Sequence, residues 1–157
     1  MLQTIYIGID PGQSGGIAII SPTGNMSIHK MPPTEHDTNV ILEKVAIYCA
    51  HHNSPPYCLI EGVHSFPGQG VSSSFKFGRN YGFLRGVLVA NKIPFNEVSP
   101  QKWQKFFGLQ KKSKEESKTV HKNRIKEKAQ QLHPELKITL ATSDAVIICE
   151  YCRQINK

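Results

Sequence analysis

Three short apolar runs separated by tight turns fill the first thirty residues, and this spacing constrains the fold more than any other feature of the chain. Ile5, Ile7 and Ile9 alternate with Thr4, Tyr6 and Gly8, the period of two expected of a strand, and the run stops at Asp10. Pro11-Gly12 turns the chain, and Ile17 to Ile20 forms a second run. Pro22-Thr-Gly-Asn25 is a hairpin turn before a third strand around Ser27 to Lys30. Connections this short join antiparallel neighbours, because a parallel pair needs a crossover of about a dozen residues. The opening of the chain therefore reads as a meander.

Helices and strands then alternate. Val40, Ile41, Val45, Ala46 and Cys49 recur at helical spacing from about Asn39 to His52, with Asp37 or Thr38 as the cap. Beyond Pro55-Pro56, Tyr57 to Glu61 is an apolar run of the kind a buried central strand gives. His64 to Ser74 is rich in Gly and Ser and reads as a loop. Phe75 to Asn91 reads as a second helix, and Pro94 to Val98 as a strand. Ser99-Pro100 opens a helix with Pro at its first position. Ser113-Lys-Glu-Glu116 has the form of a capping box for a helix running to about Leu132, and Thr142 or Ser143 caps a last helix with Asp144 in its first turn. The order predicts one α/β domain over residues 1–157, a mixed five-stranded sheet with helices on both faces.

Nineteen Lys and Arg against twelve Asp and Glu give a formal charge of +7, which favours an anionic partner, nucleic acid ahead of a membrane surface. The N-terminus lacks the pattern of a signal peptide, and no apolar run is long enough to span a bilayer, so the expectation is a soluble cytoplasmic protein with reduced thiols. Cys149 and Cys152, with Cys49 and Cys58, number enough for a zinc site. Their setting in Ala145-Val-Ile-Ile-Cys-Glu-Tyr-Cys152 reads instead as the packed face of a helix.

Asp10 and Glu61 each close an apolar strand, and Asp144 opens an apolar helix. Taken singly, a strand-ending acid is more often a turn cap or a partner for Lys. Three together, in a basic chain, point to a site for a hard divalent cation such as Mg²⁺, which prefers oxygen ligands. Two such ions can activate water and stabilise the leaving oxygen in phosphodiester hydrolysis. Spacing alone does not single out these acids.

Specific motifs do. Gly8-Ile-Asp-Pro-Gly-Gln-Ser-Gly-Gly16-Ile-Ala resembles the opening of RuvC-like Holliday junction resolvases, within the ribonuclease H-like superfamily. Leu59-Ile-Glu61 and Ser143-Asp-Ala145 are similar to that family's later acidic motifs. Ser74 to Gly86 and Val98 to Gly108 resemble versions carried by phages and prophages. The resemblance spans nearly the whole chain in order. It implies a ribonuclease H-like fold, with Asp10, Glu61 and Asp144 as metal ligands and catalytic residues. It also implies two Mg²⁺ ions, with Mn²⁺ as a substitute, and a homodimer acting on four-way DNA junctions. No nucleotide cofactor is needed. Members of the family usually carry a fourth acid or a His three or four positions before the last Asp; here Leu140 and Ala141 stand there. His133, Thr139, Thr142 and Ser143 are the polar residues nearest in sequence.

Lys76, Arg79, Lys102, Lys105, Lys111, Lys112 and Lys114 are the expected DNA contacts, those from Lys102 onward matching the stretch that lines the family's DNA groove. Lys118, Lys122, Arg124, Lys126 and Lys128 read as a solvated helix face. Phe66 and Gln69 follow Glu61 on a loop that the resemblance brings to the junction centre, where Phe66 either stacks on a base or folds back. His64 is a candidate proton carrier there. Gly78, Gly82 and Gly86 lie on one helical stripe and read as a place for close backbone packing; Trp103 reads as an apolar anchor. Three functions remain open: a junction-resolving endonuclease, a nuclease on other branched DNA or RNA–DNA hybrids, and a non-catalytic junction binder.

Overall fold

A computed structural model describes residues 4–62 and 64–157. The first alternating run, β1 (Ile5–Asp10), pairs antiparallel with β2 (Gly16–Ile20), which pairs antiparallel with β3 (Met26–Lys30), as the short turns require. On its other side β1 pairs in parallel with β4 (Pro56–Glu61), and β4 in parallel with β5 (Phe95–Val98). The sheet order is β3-β2-β1-β4-β5, so β1 is central and buried on both faces rather than half exposed.

Each face has its own core. Ile5, Ile7 and Ile9 point with Ile17 and Ile60 toward α1 (Glu35–His52) and α2 (Val71–Ala90). On the opposite face, Ala18, Leu59 and Val98 pack against α3 (Pro100–Phe106), α4 (Lys118–Leu132) and α5 (Ser143–Ile155). The last helix is buried from Ser143 through Glu150. Cys149 and Cys152 lie on it, and their thiols donate to the carbonyls of Tyr6 and Tyr57 at 3.3 and 3.5 Å; all four cysteines are buried free thiols.

Several helix boundaries differ from the sequence expectation. Thr34, not Asp37 or Thr38, caps α1, its hydroxyl accepting from the Asp37 N–H. The second helix begins at Val71, before the expected Phe75, and has no side-chain cap. Ser117 rather than Ser113 caps α4, because Glu116 is occupied by Arg124 and the Lys112 N–H instead of serving a capping box. Among the described residues, none lies against the stripe of Gly78, Gly82 and Gly86; it faces outward.

One glycine decides how α5 sits. A Cβ on Gly8 would lie 2.5 Å from the Ala145 carbonyl oxygen and closer still to the Cys149 nitrogen, both backbone atoms. Only a residue without a side chain lets the helix rest directly on the central strand. Gly8→Ala is expected to lower stability by about 3 kcal/mol or more, since backbone on both sides of the added methyl must move. A urea titration followed by circular dichroism measures this, and an unchanged midpoint would show that the contact is not tight.

Candidate active site

Parallel pairing in register sets two acids side by side. Ile9 is opposite Ile60, so Asp10 and Glu61 end adjacent strands at the same edge of the sheet. Both share the strand parity of Gly8 and Leu59 and lie on the face covered by α5. The seat of α5 on Gly8 brings its first turn, with Asp144, to the same strand ends.

In each acid the chain engages one oxygen. Asp10 Oδ1 accepts from the Gly12 N–H at 3.2 Å, within a turn that Gly15 must close because a Cβ there would fall 2.8 Å from Asp10 Cγ. Glu61 Oε2 accepts from the Trp103 indole N–H at 2.9 Å. Asp144 Oδ2 accepts from the Lys122 ammonium. Asp144 Oδ1 is buried and has no hydrogen-bond partner among the described residues, on a side chain only 10% exposed. A buried, unpartnered carboxylate oxygen is costly to leave unpaired, so the site suits a cation. Among the described residues, no three or more Asp, Glu, His or Cys side chains come close enough together to hold a metal ion between them.

The charges of the acids reach one another. Burial, and then the charge of Asp144, push Asp10 above the ordinary carboxylate range. Burial, then Asp10, push Glu61 up to about 7, although the Trp103 hydrogen bond opposes the shift. Lys122 is displaced upward: burial works against its charge, but Asp144, Asp10 and Glu61 together outweigh it. Lys122 is thus the correction to the solvated-face expectation. A charged helix face in sequence does not reveal that one of its members turns inward. Arg124 also leaves that face, pairing with Glu116 at 2.8 Å. The His121 ring Nε2 donates to the Leu109 carbonyl, 2.7 Å away, and these links tie the segment before α4 to the helix that carries Lys122.

Trp103 is fully buried, the apolar anchor expected, yet its N–H orients Glu61, a role the sequence did not disclose. Leu140 is exposed, and the polar neighbours of the missing fourth acid are engaged elsewhere. His133 pairs with buried Glu150 at 2.8 Å, Thr139 with Thr142, and Ser143 with the Leu140 carbonyl.

Two clefts flank the acids. One, of about 360 Å³, runs beside the Asp10 turn and is lined by Gln13, Ser14, Lys30, Lys76 and Arg79. The Asn80 amide donates to the Pro11 carbonyl, fastening α2 to this turn. The other, of about 440 Å³, begins at Glu61 and is largely apolar, lined by His64, Phe66, Phe77, Val98 and Pro100. Phe66 is 72% exposed, and its N–H is held by Gln69 Oε1 at 3.2 Å. Lys102, Lys105, Lys111, Lys112 and Lys114 are all exposed along α3 and the segment after it. Among the described residues, no helix is long and apolar enough to cross a membrane.

No protein-family model matches the chain, and no curated protein does. Solved structures do. Thermus thermophilus RuvC, determined in complex with a Holliday junction substrate, superposes with a TM-score of 0.58 at 11% identity, over 93% of this chain and 90% of that one. A second Thermus thermophilus RuvC structure has the same TM-score at 13% identity, over 98% and 97%. The chain therefore has the RuvC-type ribonuclease H-like fold, a mixed five-stranded sheet with helices on both faces.

Raised carboxyl pKa values mean that the folded protein holds protons the unfolded chain has already released. The stability present below pH 4.5 is therefore lost as pH rises toward about 7, with Glu61 contributing about 3 kcal/mol at most and Asp10 acting in the same direction. Melting in chelator should show a falling midpoint from pH 5 to pH 8, and Glu61→Gln should remove most of the slope. A midpoint that rises over that range contradicts the burial of these acids.

Proposed function

We propose that this protein is a divalent-metal-dependent endonuclease that cuts branched DNA, with four-way junctions as its substrate. The observation that carries the reading is the trio of Asp10, Glu61 and Asp144, each oriented through one oxygen, with Asp144 Oδ1 buried and unpartnered. These residues would hold Mg²⁺, which when bound would supply Lewis-acid activation of water and of the phosphodiester. The fold it shares with a RuvC solved on a Holliday junction favours a branched substrate.

The chain's own residues then have separable tasks. Trp103 holds Glu61 so that Oε1 stays available, and the Asp10 turn, fastened by Asn80, fixes the first acid. Lys30, Lys76 and Arg79 line one cleft, and the lysines from Lys102 to Lys114 extend the positive surface on the other side. Such residues bind phosphate without reading sequence, and each contact steepens the dependence of binding on salt. Phe66 and Gln69 stand at the rim of the apolar cleft, where the exposed ring can stack on an unpaired base.

The protein acts as a homodimer, two sites matching the approximate two-fold symmetry of a junction. Val71, Phe75, Gly78, Gly82, Gly86 and Val89 form one narrow exposed stripe along α2. Three helical glycines cost about 1 kcal/mol each relative to Ala, and among the described residues none packs against them to offset that. Close packing against the same stripe of a second copy would.

A second reading, binding without cleavage, draws on the absence of a fourth acid at Leu140 or Ala141 and on the Lys122–Asp144 pair. One assay separates the readings. Labelled four-way junction, flap, linear duplex and RNA–DNA hybrid are incubated with protein in Mg²⁺, Mn²⁺ or chelator. Paired nicks in the junction are expected, and Asp10→Asn should lower cleavage by about a thousandfold or more while leaving junction binding intact. Cleavage that survives this substitution would remove the assignment; binding without cuts in either metal would establish the second reading.

Gly82→Leu tests the dimer. It should raise the helix propensity of α2 by about 1 kcal/mol while shifting the protein to monomer in light scattering. A dimer that persists unchanged would place the interface elsewhere.

A further inference from the structure

The acid cluster contains a cation that belongs to the chain. Lys122 reaches from α4 to Asp144 Oδ2, and its charge is felt by Asp10 and Glu61 as well. Its side chain is 44% exposed, whereas that of Asp144 is 10% exposed, so the ammonium enters from the solvent side and covers the deeper carboxylate. The segment behind it is braced: Arg124 holds Glu116 and the Gln110 carbonyl, and His121 holds the Leu109 carbonyl.

Resting on the metal-dependent reading above, we propose that the site takes one divalent ion and that Lys122 supplies the second positive centre. Three carboxylates are neutralised by one divalent ion and one ammonium. Two divalent ions with the ammonium still in place would leave an excess of two positive charges before any phosphate arrived, in a partly buried site where such charges repel strongly. The oxygens divide the same way. Asp10, Glu61 and Asp144 each give one oxygen to the protein and keep one, so the free oxygens number three, too few to share between two Mg²⁺ ions. A fourth acid, where one exists, would offer oxygens for a second ion. Here Leu140 and Ala141 offer none, and His133, Thr139, Thr142 and Ser143 are all turned to other partners. Lys122 is therefore a positioning residue: it occupies Asp144 Oδ2, which a second ion would need, and leaves Oδ1 as the oxygen that would face a single ion.

Mn²⁺ titration of the full chain without DNA tests this, by calorimetry for affinity and by electron paramagnetic resonance of free Mn²⁺ for stoichiometry. Wild type is expected to bind one ion per chain. Lys122→Met should tighten that ion by about tenfold or more, as removal of a nearby like charge predicts, and should admit a second at millimolar Mn²⁺. Lys122→Arg, which keeps the charge, should behave as wild type; Lys122→Gln replaces Lys122→Met if the latter does not fold. Two ions bound by wild type would overturn the proposal while leaving the nuclease reading intact. So would an unchanged affinity in the charge-removing variant. No Mn²⁺ bound by wild type at all would overturn both.

Discussion

The contact between the last helix and the central strand at Gly8 governs the rest of the molecule. With no side chain at that position, the backbone of α5 from Ala145 to Cys149 settles on β1, and the helix is buried along most of its length. Its thiols reach the strand carbonyls and its apolar residues complete one of the two cores. The same approach sets Asp144 beside the strand end that carries Asp10. Core packing and site assembly are therefore one event: whatever lifts the helix also separates the acids.

Gathering three acids at a buried edge is unfavourable for the metal-free chain, and the local structure shows how that cost is limited. A backbone N–H, an indole N–H and an ammonium each take one oxygen. These partners also orient the carboxylates, so the arrangement that offsets their repulsion is the one that presents their free oxygens. Glu61 nevertheless stays protonated up to about pH 7, because its burial exceeds what Trp103 returns. Such tension between folding and charge is common where a site is built for a ligand rather than for stability.

Around this centre the surface is divided by chemistry. A polar cleft with Lys30, Lys76 and Arg79 lies beside the Asp10 turn, and an apolar cleft with aromatic walls begins at Glu61. The outer face of α2 is neither; its glycines and exposed Val71, Phe75 and Val89 are left uncovered by the described residues. These three surfaces are the ones to which the proposed function assigns phosphate, base and a second copy of the chain.

Much of this was legible in order along the chain. The meander, the strands ending at Asp10 and Glu61, the Ser99-Pro100 helix start and the helix opening at Asp144 all follow from local periodicity and turn chemistry, which act between neighbours. The motif resemblance reached the fold that the solved structures share. Helix starts at Thr34 and Ser117 differ from the sequence expectation because several polar residues compete to cap, and tertiary contacts choose among them. Sequence by itself determined the elements, their order and the acids at their ends. Only tertiary structure decided that Gly8 bears a helix, that Trp103 holds Glu61, that Lys122 turns inward and that the glycine stripe of α2 turns outward. Those outcomes depend on contacts between residues far apart in the chain, and periodicity carries no information about which face of one element meets another.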